Sequence, residues 1–259
     1  MIIGPGKWTV TFRPSPGARL RLLCFHHAGG GAFRFRPWAE RLSPGIELVA
    51  VQLPGRENRA TEATVTSLTE ILGPLEAVLQ ATLRAPFAIF GHSLGAVLAY
   101  QLAGRAWSSE AMPRPQHLFL SAARPPRHGA AARPSRELSD AELKAQLETW
   151  GGTPRAVLDN PSLLPAFLRP LRADLQLLRA ARIESHERLP IPFTLFRGAG
   201  DTGVRPEHLG GWAELTSRGA QQHLLSGGHF YDAPGEQELL QIVESTLGMG
   251  CPTSDRSGR

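Results

Sequence analysis

Apolar residues in this chain fall into two alternating rhythms. Short, largely apolar runs recur at Leu20 to His26, Glu47 to Leu53, Phe87 to Phe90, His117 to Ser121, Phe193 to Arg197 and Gln221 to Leu225. Between them, apolar positions repeat at helical spacing in Pro37 to Leu42, Thr64 to Leu83, Leu94 to Trp107, Pro206 to Thr216 and Glu236 to Leu247. Strands that are apolar on both faces are strands covered on both faces. Strands alternating with helices predict a mostly parallel, twisted sheet flanked by helices. One further run, Trp8 to Arg13, is followed by Pro14 to Gly17, which predicts a turn. That turn would join Trp8 to Arg13 and Leu20 to His26 as an opening antiparallel pair.

The rhythm breaks between Ala122 and Pro190. The stretch opens rich in Pro and Arg (Arg124 to Arg136) and reads helical from Leu138 to Trp150. It then passes Gly151-Gly152-Thr153-Pro154 and reads helical again from Leu163 to Ile183. Residues 122–190 are expected to form a helical insertion within one domain spanning residues 1–259. At the carboxyl edge of the sheet such an insertion would cover the site as a lid; a plain extra helical layer is the alternative. Residues 248–259 are polar, contain Gly and Ser, and are expected to be a disordered tail.

Composition narrows the classes. The chain has 259 residues, 42% apolar and 20% charged, enough to bury a core without staples. Cys24 lies in an apolar run and Cys251 in the polar tail, so no structural disulfide is expected and a reducing compartment fits. The first residues lack a signal-peptide pattern, and no run approaches the roughly 20 apolar residues of a membrane span. A cytoplasmic location without membrane attachment is expected. The net charge is +5, yet the arginines are scattered and no nucleic-acid-binding motif accompanies them. No ligand spacing for a metal and no cofactor motif is present.

The chemistry concentrates at Gly91-His92-Ser93-Leu94-Gly95. An apolar run precedes it and a helical stretch follows it, the strand–turn–helix setting of a nucleophile elbow. A side chain at either glycine would crowd the turn against its neighbouring strand and helix. A serine hydroxyl becomes a useful nucleophile only when a base takes its proton. His229 is the candidate base: it follows a strand and the turn Ser226-Gly227-Gly228, and precedes the water-excluding pair Phe230-Tyr231. His223 lies within a strand pattern and His208 on a helix. His26 and His27 adjoin at a strand end and are expected to face opposite sides, while His92 is expected to point away from Ser93. For the acid, Asp201 follows the strand Phe193 to Arg197 and precedes His229 by 28 residues, room for a helix and a strand. Asp232 is too near His229 in sequence to reach behind its ring, and Glu207 has a ready role in the first turn of a helix.

A tetrahedral intermediate also needs two N–H donors. The Leu94 amide, at the start of a helix directly after Ser93, is one. The glycine-rich loop His27-Ala28-Gly29-Gly30-Gly31 follows an early strand and makes the Ala28 amide the best candidate for the second. A phosphate-binding loop is the rival reading, but the segment lacks Gly-Lys-Ser/Thr.

Several motifs in a single order carry a resemblance over about Leu20 to Leu247. They are Cys24-Phe25-His26-His27-Ala28-Gly29-Gly30, Phe35-Arg36-Pro37-Trp38, Gln52-Leu53-Pro54-Gly55-Arg56-Glu57 and Gly91-His92-Ser93-Leu94-Gly95-Ala96. They continue with Leu138-Ser139-Asp140, Gly151-Gly152-Thr153-Pro154, Arg172-Ala173-Asp174 and Gly227-Gly228-His229-Phe230. In these the chain resembles the type II thioesterases that accompany polyketide and nonribosomal peptide synthases. The resemblance implies an α/β-hydrolase fold with a helical lid. It implies hydrolysis of acyl thioesters held on the phosphopantetheine of acyl or peptidyl carrier proteins, with Ser93 as nucleophile, His229 as base and Asp201 as acid. Leu94 and Ala28 then supply the oxyanion hole, and no cofactor is needed. A monomer is expected. Two positions depart from the family pattern: His26 stands where Pro is usual, and Ser121-Ala122-Ala123-Arg124-Pro125-Pro126 replaces a Ser-Gly-Arg. Arg34, Arg36 and Arg56 are candidates to dock an acidic carrier protein, with ordinary solvated charge as the alternative. An oxygen-ester hydrolase or medium-chain fatty-acyl thioesterase on the same scaffold stays open. So does a carrier-protein-binding module without turnover, although such a module has no physical need for all three of Ser93, Asp201 and His229.

Overall fold

The computed structural model describes residues 1–83, 86–128, 138–183 and 188–249. Ten strands are described: β1 (Ile2–Ile3), β2 (Thr9–Thr11), β3 (Leu20–Phe25), β4 (Ile46–Val51), β5 (Phe87–His92), β6 (Leu118–Ser121), β7 (Arg127–His128), β8 (Arg182–Ile183), β9 (Phe193–Gly198) and β10 (Ala220–Leu225). The helices are α1 (Arg36–Arg41), α2 (Leu68–Thr82), α3 (Leu94–Ser108), α4 (Asp140–Trp150), α5 (Arg155–Leu158), α6 (Leu164–Ala180), α7 (Pro206–Ala213) and α8 (Ala233–Thr246). Eight strands form one sheet in the order β1-β2-β4-β3-β5-β6-β9-β10, parallel from β4 to β10. The α/β architecture expected from the apolar rhythm is therefore present.

Every residue of β5 and β6 is buried, because helices cover both faces. On one face Leu23, Val49, Ile89, Leu120 and Leu195 pack with α2, α3 and α7. On the other, Leu22, Ala50, Phe90, Phe119 and Phe196 pack with α1 and α8. Cys24, fully buried there, is a free thiol whose pKa burial pushes up.

The predicted opening hairpin does not form. β2 pairs antiparallel with β4, through Thr9↔Val51, and β3 lies between β4 and β5 with both edges filled by parallel partners. A strand apolar on both faces takes a central position, which leaves β2 the outer edge of β4. The Pro14–Gly17 segment is instead tied to the start of β4, with the Ser15 amide 3.0 Å from Glu47 Oε1. α2 also starts later than predicted, since Ser67 is extended (φ −110°, ψ 132°).

Between β6 and β9 lie α4, α5 and α6, with their own small core of Leu143, Leu147, Leu158, Leu168 and Leu171. Ser139 caps α4, and Glu142 completes a reciprocal capping box. The Pro- and Arg-rich opening of this stretch lies in part outside the described residues, and so does the expected tail from residue 250 onward. Ala122, in the segment that replaces the Ser-Gly-Arg the resemblance leads one to expect, holds φ +48°, an uncommon conformation for a residue with a Cβ.

The elbow glycines can be ranked by what a methyl group would meet. A Cβ on Gly91 would lie 2.1 Å from the Gly95 carbonyl oxygen, and one on Gly95 would lie 2.3 Å from that of Phe25. Gly104, on the same helix, has open space. Gly95→Ala is therefore expected to cost at least about 2 kcal/mol by denaturant unfolding. Gly104→Ala should stabilise by roughly 0.5–1 kcal/mol.

Candidate active site

Ser93 sits between β5 and α3 with φ +57° and ψ −117°, outside the ordinary allowed regions. Such strain is held only where surroundings over-determine it. Here Gly91 and Gly95 let strand, turn and helix backbones close on one another, and the Ser93 amide is anchored to the Ser121 carbonyl at 2.8 Å. Ser93 is half-buried. The Leu94 amide is the first of α3 and, among the described residues, is engaged by no protein group, as is the Ala28 amide.

Asp201 and His229 are brought together by backbone contact between two loops. Gly200 N donates to Gly227 O at 2.8 Å and Ala199 N to Leu225 O at 2.8 Å. A Cβ on Gly198 would stand 2.0 Å from the Gly228 carbonyl oxygen, so glycine is required there. His229 Nδ1 lies 2.9 Å from Asp201 Oδ2. Asp201 Oδ1 accepts the amides of Gly203 at 2.8 Å and Val204 at 3.1 Å. Burial pushes the Asp201 carboxyl up, but the His229 bond and the two amides outweigh it and hold the acid below its ordinary range. Asp201 is thus an anion that accepts the His229 Nδ1–H and leaves Nε2 free to act as a base. Among the described residues no hydrogen bond closes between Ser93 and His229, a contact that often tightens only with substrate bound. Of the two acids set aside, Asp232 caps α8 through Gly235 N at 3.0 Å, and Glu207 is exposed in the first turn of α7.

The histidines differ from expectation in one place. β3 ends at Phe25, so strand alternation does not govern His26 and His27; both line one cavity, along with Arg34, Trp38, His92 and Tyr231. His92 does turn toward β6, its Nδ1 2.9 Å from Ser121 Oγ, which lies 2.7 Å from Tyr231 Oη. Yet its ring is also 5.4 Å from that of His229. Burial, then neighbouring positive groups, push His27 and His92 well below the ordinary imidazole range, so both rings are neutral. His208 accepts the Arg205 amide at 2.9 Å, and His223 stacks on Phe196.

The loop carrying Ala28 is fixed by residues whose role was not legible in the sequence. Asp174 on α6, fully buried, accepts the Gly29 amide at 2.8 Å. It also takes a bidentate pair from Arg56, Nη1 at 2.5 Å and Nη2 at 2.9 Å, and Arg56 Nη1 reaches the Gly30 carbonyl at 3.1 Å. Gln52 Oε1 accepts the Ala32 amide at 2.8 Å, and Glu57 accepts that of Phe33 at 3.2 Å. Burial raises the Glu57 carboxyl above its ordinary range against the pull of that amide and of Arg56. The Arg-Ala-Asp and Pro-Gly-Arg motifs were the only signal, and they named the partners without pairing them. The expectation that Arg56 docks a carrier protein is corrected: its side chain is 5% exposed and spent on Asp174. Arg34 is half-buried against Glu236 at 2.6 Å, which leaves Arg36 as the exposed member of the three. From α4, the Trp150 ring stacks 6.1 Å from that of His229, and Gly152 abuts Phe230.

The family model described as Thioesterase domain matches residues 20–247. The chain belongs to the thioesterase family. This thioesterase is 33% identical over 237 residues to the gramicidin S biosynthesis protein GrsT of Aneurinibacillus migulanus, covering 92% of each chain. It is 32% identical to the medium-chain S-acyl fatty acid synthase thioesterase of Homo sapiens, over 88% of this chain and 86% of that one. Among solved structures, the type II thioesterase BorB from the borrelidin biosynthetic cluster superposes with a TM-score of 0.81 at 33% identity, over 93% of this chain and 97% of that chain.

Removing one partner of a buried ion pair strands the other charge, which costs about 3–5 kcal/mol. Asp174→Ala in this thioesterase should therefore lower unfolding free energy by about that amount. The double variant Arg56→Met with Asp174→Leu should recover a large part of it, both read by denaturant titration.

Proposed function

We propose that this thioesterase hydrolyses acyl groups from the phosphopantetheine thiol of carrier proteins serving a polyketide or nonribosomal peptide synthase. The observation that carries the reading is the Asp201–His229 bond, on loops that converge with the Ser93 elbow in a chain that matches the thioesterase family over residues 20–247. His229 Nε2 takes the Ser93 proton as Oγ bonds to the thioester carbonyl carbon. The carbonyl oxygen becomes an anion facing the Leu94 and Ala28 amides. Collapse breaks the C–S bond, and the proton on His229 passes to the departing thiolate. Water then attacks the acyl-serine, gives its proton to the same ring, and releases the acid and Ser93. Asp201 holds the tautomer and stabilises the imidazolium at both stages.

In this reading α4 to α6 act as a lid. Trp150 on His229 and the Gly151-Gly152 turn on Phe230 form a roof that an acyl-pantetheine arm must pass. Both glycines have positive φ, 73° and 78°, conformations that admit no side chain cheaply.

The test offers an acyl-phosphopantetheinyl carrier protein, the matching acyl-coenzyme A and a p-nitrophenyl ester to the purified enzyme. The expected order of kcat/KM places the carrier-bound thioester first. Ser93→Ala should abolish turnover on all three, and Asp201→Asn should lower kcat by about 10³- to 10⁴-fold. A preference for free acyl-coenzyme A would favour a fatty-acyl thioesterase, a preference for the ester an oxygen-ester hydrolase. Turnover unaffected by Ser93→Ala would overturn the mechanism.

A further inference from the structure

The Ala28 amide belongs to the peptide joining His27 to Ala28, and a trans peptide points its N–H opposite to its C=O. Whatever grips the His27 carbonyl therefore aims the Ala28 N–H. Two groups grip it: the Gly30 amide at 3.0 Å and the His26 ring, whose Nδ1 lies 2.8 Å away. The first is part of the turn itself. The second is a side chain, at the position where the resemblance leads one to expect proline, which has no side-chain donor. We propose that His26 is a positioning residue for the oxyanion hole, clamping the His27 carbonyl so that the Ala28 N–H is presented to the developing oxyanion. The proposal rests on the reading of Ala28 as the second donor.

The chemistry of the ring agrees. A carbonyl oxygen only accepts, so the proton is on Nδ1. His26 is 2% exposed. Burial, aided by the nearby Arg56 charge, lowers its pKa to about 3, so the ring is neutral and carries a single proton. Nε2 is then a bare lone pair, and it is the buried ring atom left without a partner. The clamp also has work to do. Gly29, Gly30 and Gly31 give this turn unusual conformational freedom, and a flipped 27–28 peptide would offer an oxygen where an N–H is needed. Asp174 fixes the following peptide through the Gly29 amide, so the planes on both sides of the Ala28 Cα are held from separate elements.

The experiment compares His26→Leu, the smaller His26→Ala, and His26→Asn, whose side-chain nitrogen can take the place of Nδ1. Each is measured for kcat and KM on an acyl-coenzyme A. Each is also measured for affinity toward an alkyl trifluoromethyl ketone, which Ser93 converts to an oxyanionic adduct, and toward the matching methyl ketone, which binds without one. His26→Leu and His26→Ala should lose about 10- to 100-fold in kcat, with KM within about two-fold. They should lose a similar factor for the trifluoromethyl ketone and none for the methyl ketone, while His26→Asn restores most of both. Nitrogen-15 spectra of the wild type should show His26 protonated at Nδ1. Folded variants with unchanged kcat, equal losses on both ketones, failure of Asn to restore, or a ring protonated at Nε2 would each overturn the proposal. Failure of the underlying reading looks different: wild-type enzyme that binds both ketones equally has no oxyanion hole at Ala28 to position.

Discussion

A single buried ion pair joins the parts of this enzyme that must act together. Asp174 and Arg56 come from a helix of the insertion and from the loop after a central strand, and both are withdrawn from water. Taking two charges out of solvent costs several kcal/mol each, and the pair breaks even only if its remaining valences are satisfied. Here they are satisfied by the backbone of the glycine-rich loop, through Gly29 and Gly30. The desolvation cost thus enforces a geometry: the helix, the loop after β4 and the loop after β3 are in register or the charges are stranded.

The proposed triad is built on a different principle. Asp201 and His229 sit on loops joined by main-chain hydrogen bonds and glycine contacts, and Ser93 on a turn closed by two more glycines. In the proposed mechanism the proton-moving residues and the Leu94 amide are held by backbone, while the loop that offers the Ala28 amide is held by buried polar side chains. The two halves meet where His27 and His92 pack against Phe230.

Much of this was legible in the sequence because it is local. Ser93 with its glycines is a five-residue pattern, and Asp201 and His229 each follow a strand, so chain order and spacing were enough to single out the pair that the structure brings within 2.9 Å. Apart from the late start of α2, the misreadings are non-local. The opening hairpin failed because pairing partners depend on which strand is central, which a turn signal does not encode. Arg56 reads as an exposed docking cation because its partner stands 118 positions away. His26 and His27 do not alternate because β3 ends at Phe25, where Gly95 of the elbow packs against the Phe25 and His26 carbonyls. Charge and periodicity report what a residue prefers, whereas its partner is decided by topology.

The contact of Gly198 on Gly228 leads to a last consequence. The acid and base loops are spaced by main chain touching main chain, so, apart from the glycine required at 198, their spacing is set by backbone rather than by side-chain size. In the proposed mechanism the surface facing the acyl group, by contrast, is made of side chains from the helices between β6 and β9, such as Trp150. The reacting atoms and the recognising atoms are therefore separable under mutation: the roof can be rebuilt residue by residue for acyl groups of other shapes while the machinery beneath it stands still.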